Sequence, residues 1–142
     1  MSAPRPGSLA SRLGQMDAAV LVVEDEPDIA TFLGAFFRAS GLQVVHLDPE
    51  MPGEVVAAAV ERPPACILLD LRLRGFSGLD VLAQLRADQR LRDTPVVVFS
   101  GDGSPERRAE ADAFGVAAFV TKPFSVKDLY QLVSELVAAR SA

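Results

Sequence analysis

Five short apolar runs, at residues 18 to 24, 43 to 47, 65 to 70, 95 to 100 and 116 to 121, are rich in Val, Leu, Ile or Phe and show little polar alternation. Runs of this length and character read as strands buried on both faces. Between them the apolar residues change to helical spacing. Ile29, Phe32, Leu33, Phe36 and Phe37 follow Pro27, a suitable first helical residue, and Gly41 closes that helix. A second helix near 53 to 62 carries Val55, Val56, Ala59 and Val60. It stops at Pro63-Pro64, because the residue before a proline avoids helical geometry. A third starts near Ser77 and is expected to bury Leu79, Leu82 and Leu85. A fourth opens with Ser104-Pro105 and offers a thin apolar contribution from Ala109, Ala113 and Phe114, so it is expected to be the loosest helix. The fifth begins with Ser125-Val-Lys-Asp128, similar to a capping box, and runs through Leu129, Leu132, Val133, Leu136 and Val137.

Strand and helix thus alternate five times. This implies an α/β fold, a doubly wound parallel sheet with helices on both faces, since right-handed crossovers leave few other solutions. In such sheets ligands bind beyond the carboxyl ends of the strands. The first strand ends in Glu24-Asp25, the third in Asp70, the fourth in Ser100 and the fifth in Thr121-Lys122-Pro123. Four strands therefore deliver acids, a hydroxyl and an ammonium to one edge.

Adjacent carboxylates beside low-dielectric protein repel one another unless a cation or solvent compensates. Carboxylate oxygens, backbone carbonyls and water are the ligands Mg²⁺ prefers, and Asp25 and Asp70 are the candidate ligands. Lys122, as a point charge, and Ser100, as a donor, make a receptor for a tetrahedral anion. Asp70 can then serve as a nucleophile and become an aspartyl phosphate.

Composition narrows the function classes further. The chain has 142 residues, 49% of them hydrophobic and 23% charged, which is globular composition for one domain. Its net charge of −5 leaves no electrostatic footprint for nucleic acid or an anionic membrane, so neither is expected as a direct partner. The lone Cys66 cannot form an internal disulfide and reads as a small buried hydrophobe in a reducing compartment. Residues 1 to 16 carry two prolines, two glycines and three serines and fit neither a secretory signal nor a membrane span. A cytoplasmic protein with a flexible leader is expected, and Leu9, Leu13 and Met16 would form one helical face if a partner were present.

With these motifs in place, the stretch from about Ala18 to Ala139 resembles the receiver domain of the bacterial response regulators, the phosphoacceptor half of two-component signalling. The resemblance is carried by Val-Val-Glu24-Asp25-Glu26, by the acceptor segment from Leu-Leu-Asp70 to Gly-Leu-Asp80, by Val-Val-Val-Phe-Ser100-Gly101 and by Lys122-Pro123-Phe124. It implies a flavodoxin-like sheet in the order 2-1-3-4-5 with five helices, occupying residues 17 to 142. It also implies that Asp70 accepts phosphate from a histidine kinase or phosphotransfer protein. Mg²⁺ would be held by Asp25, Asp70 and the carbonyl of Arg72, with Glu24 acting through water. Lys122 would contact the phosphate, Ser100 would turn inward to bond it, and Phe119, at the switch aromatic position, would follow. Arg72 and Asp102 stand at positions that tune dephosphorylation, and are expected to pair across the phosphate and hinder the attacking water. The output would be a downstream protein bound on the face of helix 4, strand 5 and helix 5, from a stand-alone receiver with no effector domain after Ala139. The implied activity is that of a signalling phosphoacceptor, not an enzyme acting on outside substrates.

Three positions depart from the family's pattern. Arg74 stands where the acceptor loop usually has proline, Glu24 replaces the commoner Asp, and Phe119 lacks a tyrosine hydroxyl. Two rival readings are a pseudo-receiver that binds partners without phosphorylation, against which Asp25, Asp70 and Lys122 argue, and a small flavodoxin-like hydrolase. The hydrolase needs a substrate pocket and a second acid-base group, for which the sequence gives no sign. His46 reads as a structural or surface histidine away from the site. Gly101-Asp-Gly103 lacks the Walker and dinucleotide patterns that would point to nucleotide binding.

Overall fold

A computed structural model describes residues 19 to 141; the expected leader and its Leu9, Leu13 and Met16 face lie outside the described residues. The strands are β1 (Val20–Val23), β2 (Val44–Leu47), β3 (Cys66–Asp70), β4 (Val96–Ser100) and β5 (Ala118–Thr121). They form one parallel sheet in the order β2-β1-β3-β4-β5. The helices are α1 (Pro27–Ala39), α2 (Pro52–Glu61), α3 (Gly78–Ala87), α4 (Pro105–Asp112) and α5 (Val126–Ser141). Every expected element is present, with boundaries moved inward by a residue or two at most ends.

The period-two geometry of a strand divides each apolar run between two cores. Val20, Val22, Cys66, Leu68, Val97 and Phe99 face α1 and α5, where they meet Leu33, Phe37, Leu129 and Val133. Leu21, Val23, Ile67, Leu69, Val96 and Val98 face α2, α3 and α4, where they meet Val55, Ala59, Leu82, Leu85 and Ala111. Only the three central strands have the doubly buried character read from the sequence. β2 and β5 lie at the sheet edges, so Val45 and His46 are exposed and β5 is half-buried throughout. Cys66 is fully buried, and burial pushes its thiol up to about 12, which leaves it inert.

Three helix faces differ from expectation. In α1 the buried side is Ala30, Leu33, Gly34 and Phe37, and Phe32 lies on the flank away from Ala30 with 58% of its surface exposed. In α4 the buried residue is Ala111, whereas Ala109 and, directly after the helix, Ala113 face solvent. Alanine carries too little apolar signal to orient a helix whose other residues are charged. In α3, Leu79 is only partly buried and Val81 takes a core position beside Leu82 and Leu85.

Helix starts follow the hydroxyls seen in the sequence. Ser77 Oγ accepts from Leu79 N at 3.1 Å, Ser104 Oγ from Arg107 N at 3.3 Å, and Ser125 Oγ from Asp128 N at 3.2 Å. Gly41, at φ +100°, supplies the left-handed residue that ends α1. The far end of α3 is tied down by Arg86. Its half-buried guanidinium donates to the carbonyls of Leu91, Arg92 and Thr94 before β4, and to those of Phe114 and Gly115 after α4. Burial lowers the pKa of this guanidinium, yet an arginine keeps its charge under such a shift.

Candidate functional site

The sheet order places the ends of β1 and β3 side by side, with β4 and β5 following. Glu24, directly after β1, is fully buried; Asp25 is nearly so, and Asp70, the last residue of β3, is 1% exposed. One carboxylate oxygen from each of Glu24, Asp25 and Asp70 lies within 4.8 Å of the others. Glu26, the third acid of the run, is exposed and begins α1.

Each acid is held in a different way. Asp70 Oδ1 accepts from Arg72 N at 2.9 Å, and Asp70 Oδ2 accepts from Lys122 Nζ at 3.0 Å. Lys122 directly follows β5 and is joined to Pro123 by a cis peptide bond, and its ammonium also lies 4.9 Å from the centre of the Phe99 ring. Glu24 Oε1 accepts from Glu26 N at 3.0 Å. Glu24 Oε2 is buried without a hydrogen-bond partner, since Lys122 Nζ stands 3.7 Å away, an ion-pair distance too long for a hydrogen bond. Burial is the main cause that pushes the Glu24 carboxyl up to about 8, with the Asp70 charge adding to it and the Glu26 amide and Lys122 opposing. A buried, unpaired carboxylate oxygen beside two further carboxylates fits a hard divalent cation, which would satisfy that oxygen and relieve the repulsion. The donor set of Glu24, Asp25 and Asp70 therefore suits a divalent metal ion.

The acceptor loop is more ordered than a run of loop residues suggests. Arg72–Leu73 pairs antiparallel with Phe76–Ser77, and Gly75 at φ +85° allows the tight turn between them. Gly78 then packs directly on the backbone of the acceptor: an added Cβ would lie 2.5 Å from the Asp70 carbonyl oxygen and 2.7 Å from Leu71 Cα. Arg74, at the turn, donates its backbone amide to Asp25 Oδ2 at 2.8 Å and its Nη2 to the Asp25 carbonyl at 3.0 Å. The departure from proline thus adds two donors that bind this loop to the end of β1, a contact the sequence reading did not foresee.

On the other side of the site the polar groups turn elsewhere. Ser100 Oγ accepts from Asp102 N at 3.0 Å and is engaged with its own loop rather than with Asp70. Asp102 accepts from Ser104 N at 3.0 Å, which holds its carboxyl below the usual carboxylate range, and lies 3.7 Å from Arg107. The cation beside Asp102 in this structure is thus Arg107, from the first turn of α4. Arg72 and Asp102 do line one open groove of about 640 Å³, together with Phe76, Ser100 and Arg107. Phe119 is half-buried against the α2–α3–α4 core, with the Arg108 guanidinium 4.8 Å from its ring centre. Arg108 also donates to Thr121 Oγ1 at 2.8 Å. His46, placed away from the site by the sequence reading, is structural but close: its Nε2 lies 2.7 Å from the Glu24 carbonyl. Pairing of β1 with β2 sets His46 opposite Val22, two residues before Glu24.

Comparisons with known proteins agree with this arrangement. The phosphate regulon transcriptional regulatory protein PhoB of Escherichia coli is 35% identical over 114 residues, covering 80% of this chain and 49% of that protein. The chain spans about half the length of the curated relatives it matches. Among solved structures, the receiver domain of the Francisella response regulator 1452 superposes with a TM-score of 0.76 at 27% identity, covering 86% of this chain and 98% of that one. The Mn²⁺-bound form of response regulator Rcp1 shares the fold, with a TM-score of 0.68 at 23% identity over 84% of this chain and 91% of that one. The family model for the response regulator receiver domain matches residues 20 to 134. With that match laid over an acid cluster, an acceptor loop and a lysine at the same sheet edge, the chain belongs to the response regulator receiver family.

Proposed function

We propose that this receiver is a phosphoacceptor of two-component signalling in which Asp70 takes a phosphoryl group from the phosphohistidine of a histidine kinase or phosphotransfer protein. The observation that carries the reading is the position of Asp70, buried at a strand end, with one oxygen on Lys122 Nζ and the acids Glu24 and Asp25 within 4.8 Å. A carboxylate oxygen of Asp70 forms the new P–O bond while the P–N bond to the donor histidine breaks, and the electron pair leaves with the imidazole. Lys122 is placed to follow the incoming charge, since its ammonium already rests on the attacking carboxylate. Asp25, Asp70 and the Arg72 carbonyl would hold Mg²⁺, with Glu24 acting through water. The ion supplies neutralisation of the charge that gathers on the transferring group.

Phosphorylation adds about −1.5 to −2 charges. Ser100 would then exchange the Asp102 amide for a phosphate oxygen, and Phe119 would follow it inward. That change biases α4, β5 and α5, the surface proposed to bind a downstream protein. The chemistry is confined to the receiver's own phosphorylation and dephosphorylation, in a cytoplasmic bacterial setting. Among the described residues no helix is long and apolar enough to cross a membrane. Arg72 and Asp102, which flank the same groove, remain the proposed regulators of hydrolysis. Arg72→Ala is expected to speed loss of phosphate, and an unchanged decay rate removes that role.

The test is intact mass after incubation with Mg²⁺ and acetyl phosphate, beside Asp70→Asn and a chelator control, repeated with a phosphorylated kinase. A single phosphoryl adduct, absent from both controls, is expected. A folded sample that accepts phosphate from neither donor contradicts the reading and favours a phosphate-independent adaptor.

A further inference from the structure

We propose that Arg74 is a resident counter-cation of the acid cluster, which occupies Asp25 when no divalent ion is bound and so raises the ion concentration at which the site fills. The inference rests on the metal reading of the site given above. Arg74 reaches Asp25 across 49 residues of chain and grips it at two points. The backbone amide and Nε approach Oδ2 at 2.8 and 3.5 Å, while Nη2 binds the Asp25 carbonyl at 3.0 Å.

Charge placement makes the case. Lys122 serves Asp70 at 3.0 Å and reaches Glu24 at 3.7 Å, and Arg74 serves Asp25, so two side-chain cations face three acids and Glu24 Oε2 is left unpaired. A divalent ion arriving there meets a fixed positive charge already on one of its ligands, and must either displace it or bind beside it. Both work against binding. The Arg74 side chain is 78% exposed and the Asp25 side chain 10%, so the arginine can swing into water at little cost while the carboxylate stays in place. Asp25 Oδ2 keeps the backbone amide in either case, which means that the side chain contributes charge more than orientation. Proline at this position would lack both the amide donor and the guanidinium.

The experiment is direct titration of the purified protein with Mn²⁺, reading free ion by electron paramagnetic resonance, for the unaltered chain, Arg74→Ala and Arg74→Lys at low and high salt. Arg74→Ala keeps the backbone amide and removes the guanidinium. It is expected to bind the ion about three- to tenfold more tightly at low salt, with the gap closing as salt screens the charge. Arg74→Lys should fall between the two. Equal or weaker binding by Arg74→Ala overturns the proposal, because the side chain would then be neutral or helpful to the ion. Asp25→Asn separates this from the metal reading itself. If the unaltered chain binds Mn²⁺ and Asp25→Asn does not, the site reading stands whatever Arg74→Ala does. If neither the unaltered chain nor Arg74→Ala binds the ion, both fall.

Discussion

On the β1 and β3 side of the site, Glu24, Asp25 and Asp70 are buried and held by Glu26, Arg74, Arg72 and Lys122. On the β4 and β5 side, Ser100 and Asp102 direct their bonds to their own loop, and Thr121 is bonded by an exposed arginine of α4. The packing beneath them follows the same division. α3 buries Val81, Leu82 and Leu85 beside the acceptor loop, while α4 buries Ala111. A site made this way holds charge in its better-packed half, and movement would cost less in the other, because regions with few buried apolar contacts open at lower free energy than the core.

Gly78, at the start of α3, gives the largest test of that contrast. Gly78→Ala drives a Cβ into the backbone of Asp70 and Leu71, atoms that cannot turn aside. A loss of about 3 kcal/mol is expected in denaturant unfolding, with the roughly 1 kcal/mol helix-propensity gain of alanine overwhelmed. A loss below about 1 kcal/mol would show that the start of α3 can lift off the acceptor, and the two halves would be alike.

Arg86→Met comes next. It removes a charged donor from five carbonyls and should cost about 2 kcal/mol, with faster amide hydrogen exchange around 113 to 116. Unchanged exchange there would mean that the end of α4 is anchored by something else.

Glu24 changes the slope of stability with pH more than its level. Its carboxyl, raised to about 8 in the folded chain, has an ordinary value near 4.3 when unfolded, so between these the folded state binds the extra proton. Ion-free protein should therefore lose stability as pH rises from about 4 to about 8, and Glu24→Gln should flatten that fall. Thermal melts across this range in the presence of a chelator provide the check. An equally steep fall in the variant would remove Glu24 as its source.

The smallest effect belongs to the β4–β5 side. Gly103→Ala brings a Cβ within 2.9 Å of Thr121 Oγ1 and 3.0 Å of its Cγ2, side-chain atoms that can turn away. A cost under about 1 kcal/mol is expected by the same unfolding measurement. A cost comparable with that of Gly78→Ala would show the β4–β5 loops to be as unyielding as the acceptor loop.

Much of this division was legible in the sequence. The apolar runs ended in Glu24, Asp25, Asp70, Ser100 and Lys122, and the sheet order brought those ends to one edge. The scarcity of apolar residues in 104 to 114 marked α4 as thin. What escaped depended on partners distant in sequence or on faces too weakly marked to orient. Phe32 fell inside a wide apolar arc whose buried centre was Ala30, Leu33 and Phe37. Ala109 and Ala111 differ by nothing that periodicity can detect. The reach of Arg74 to Asp25 and of His46 to the Glu24 carbonyl arises only when β1 and its neighbours are assembled.

The Arg86 clamp has a mechanical consequence. It fastens the carbonyls of Phe114 and Gly115, just beyond the C-terminal end of α4, to the end of α3 and, through the same guanidinium, to the carbonyls of Leu91, Arg92 and Thr94 before β4. The opposite end of the helix is joined to the rest by Arg107 and Arg108, through Asp102, Gly103 and Thr121, in bonds that water can replace. A rod pinned firmly at one end and loosely at the other behaves as a lever. Its pivot would lie at the Phe114–Gly115 turn, and its travel would be greatest at Ser104, four residues from Ser100.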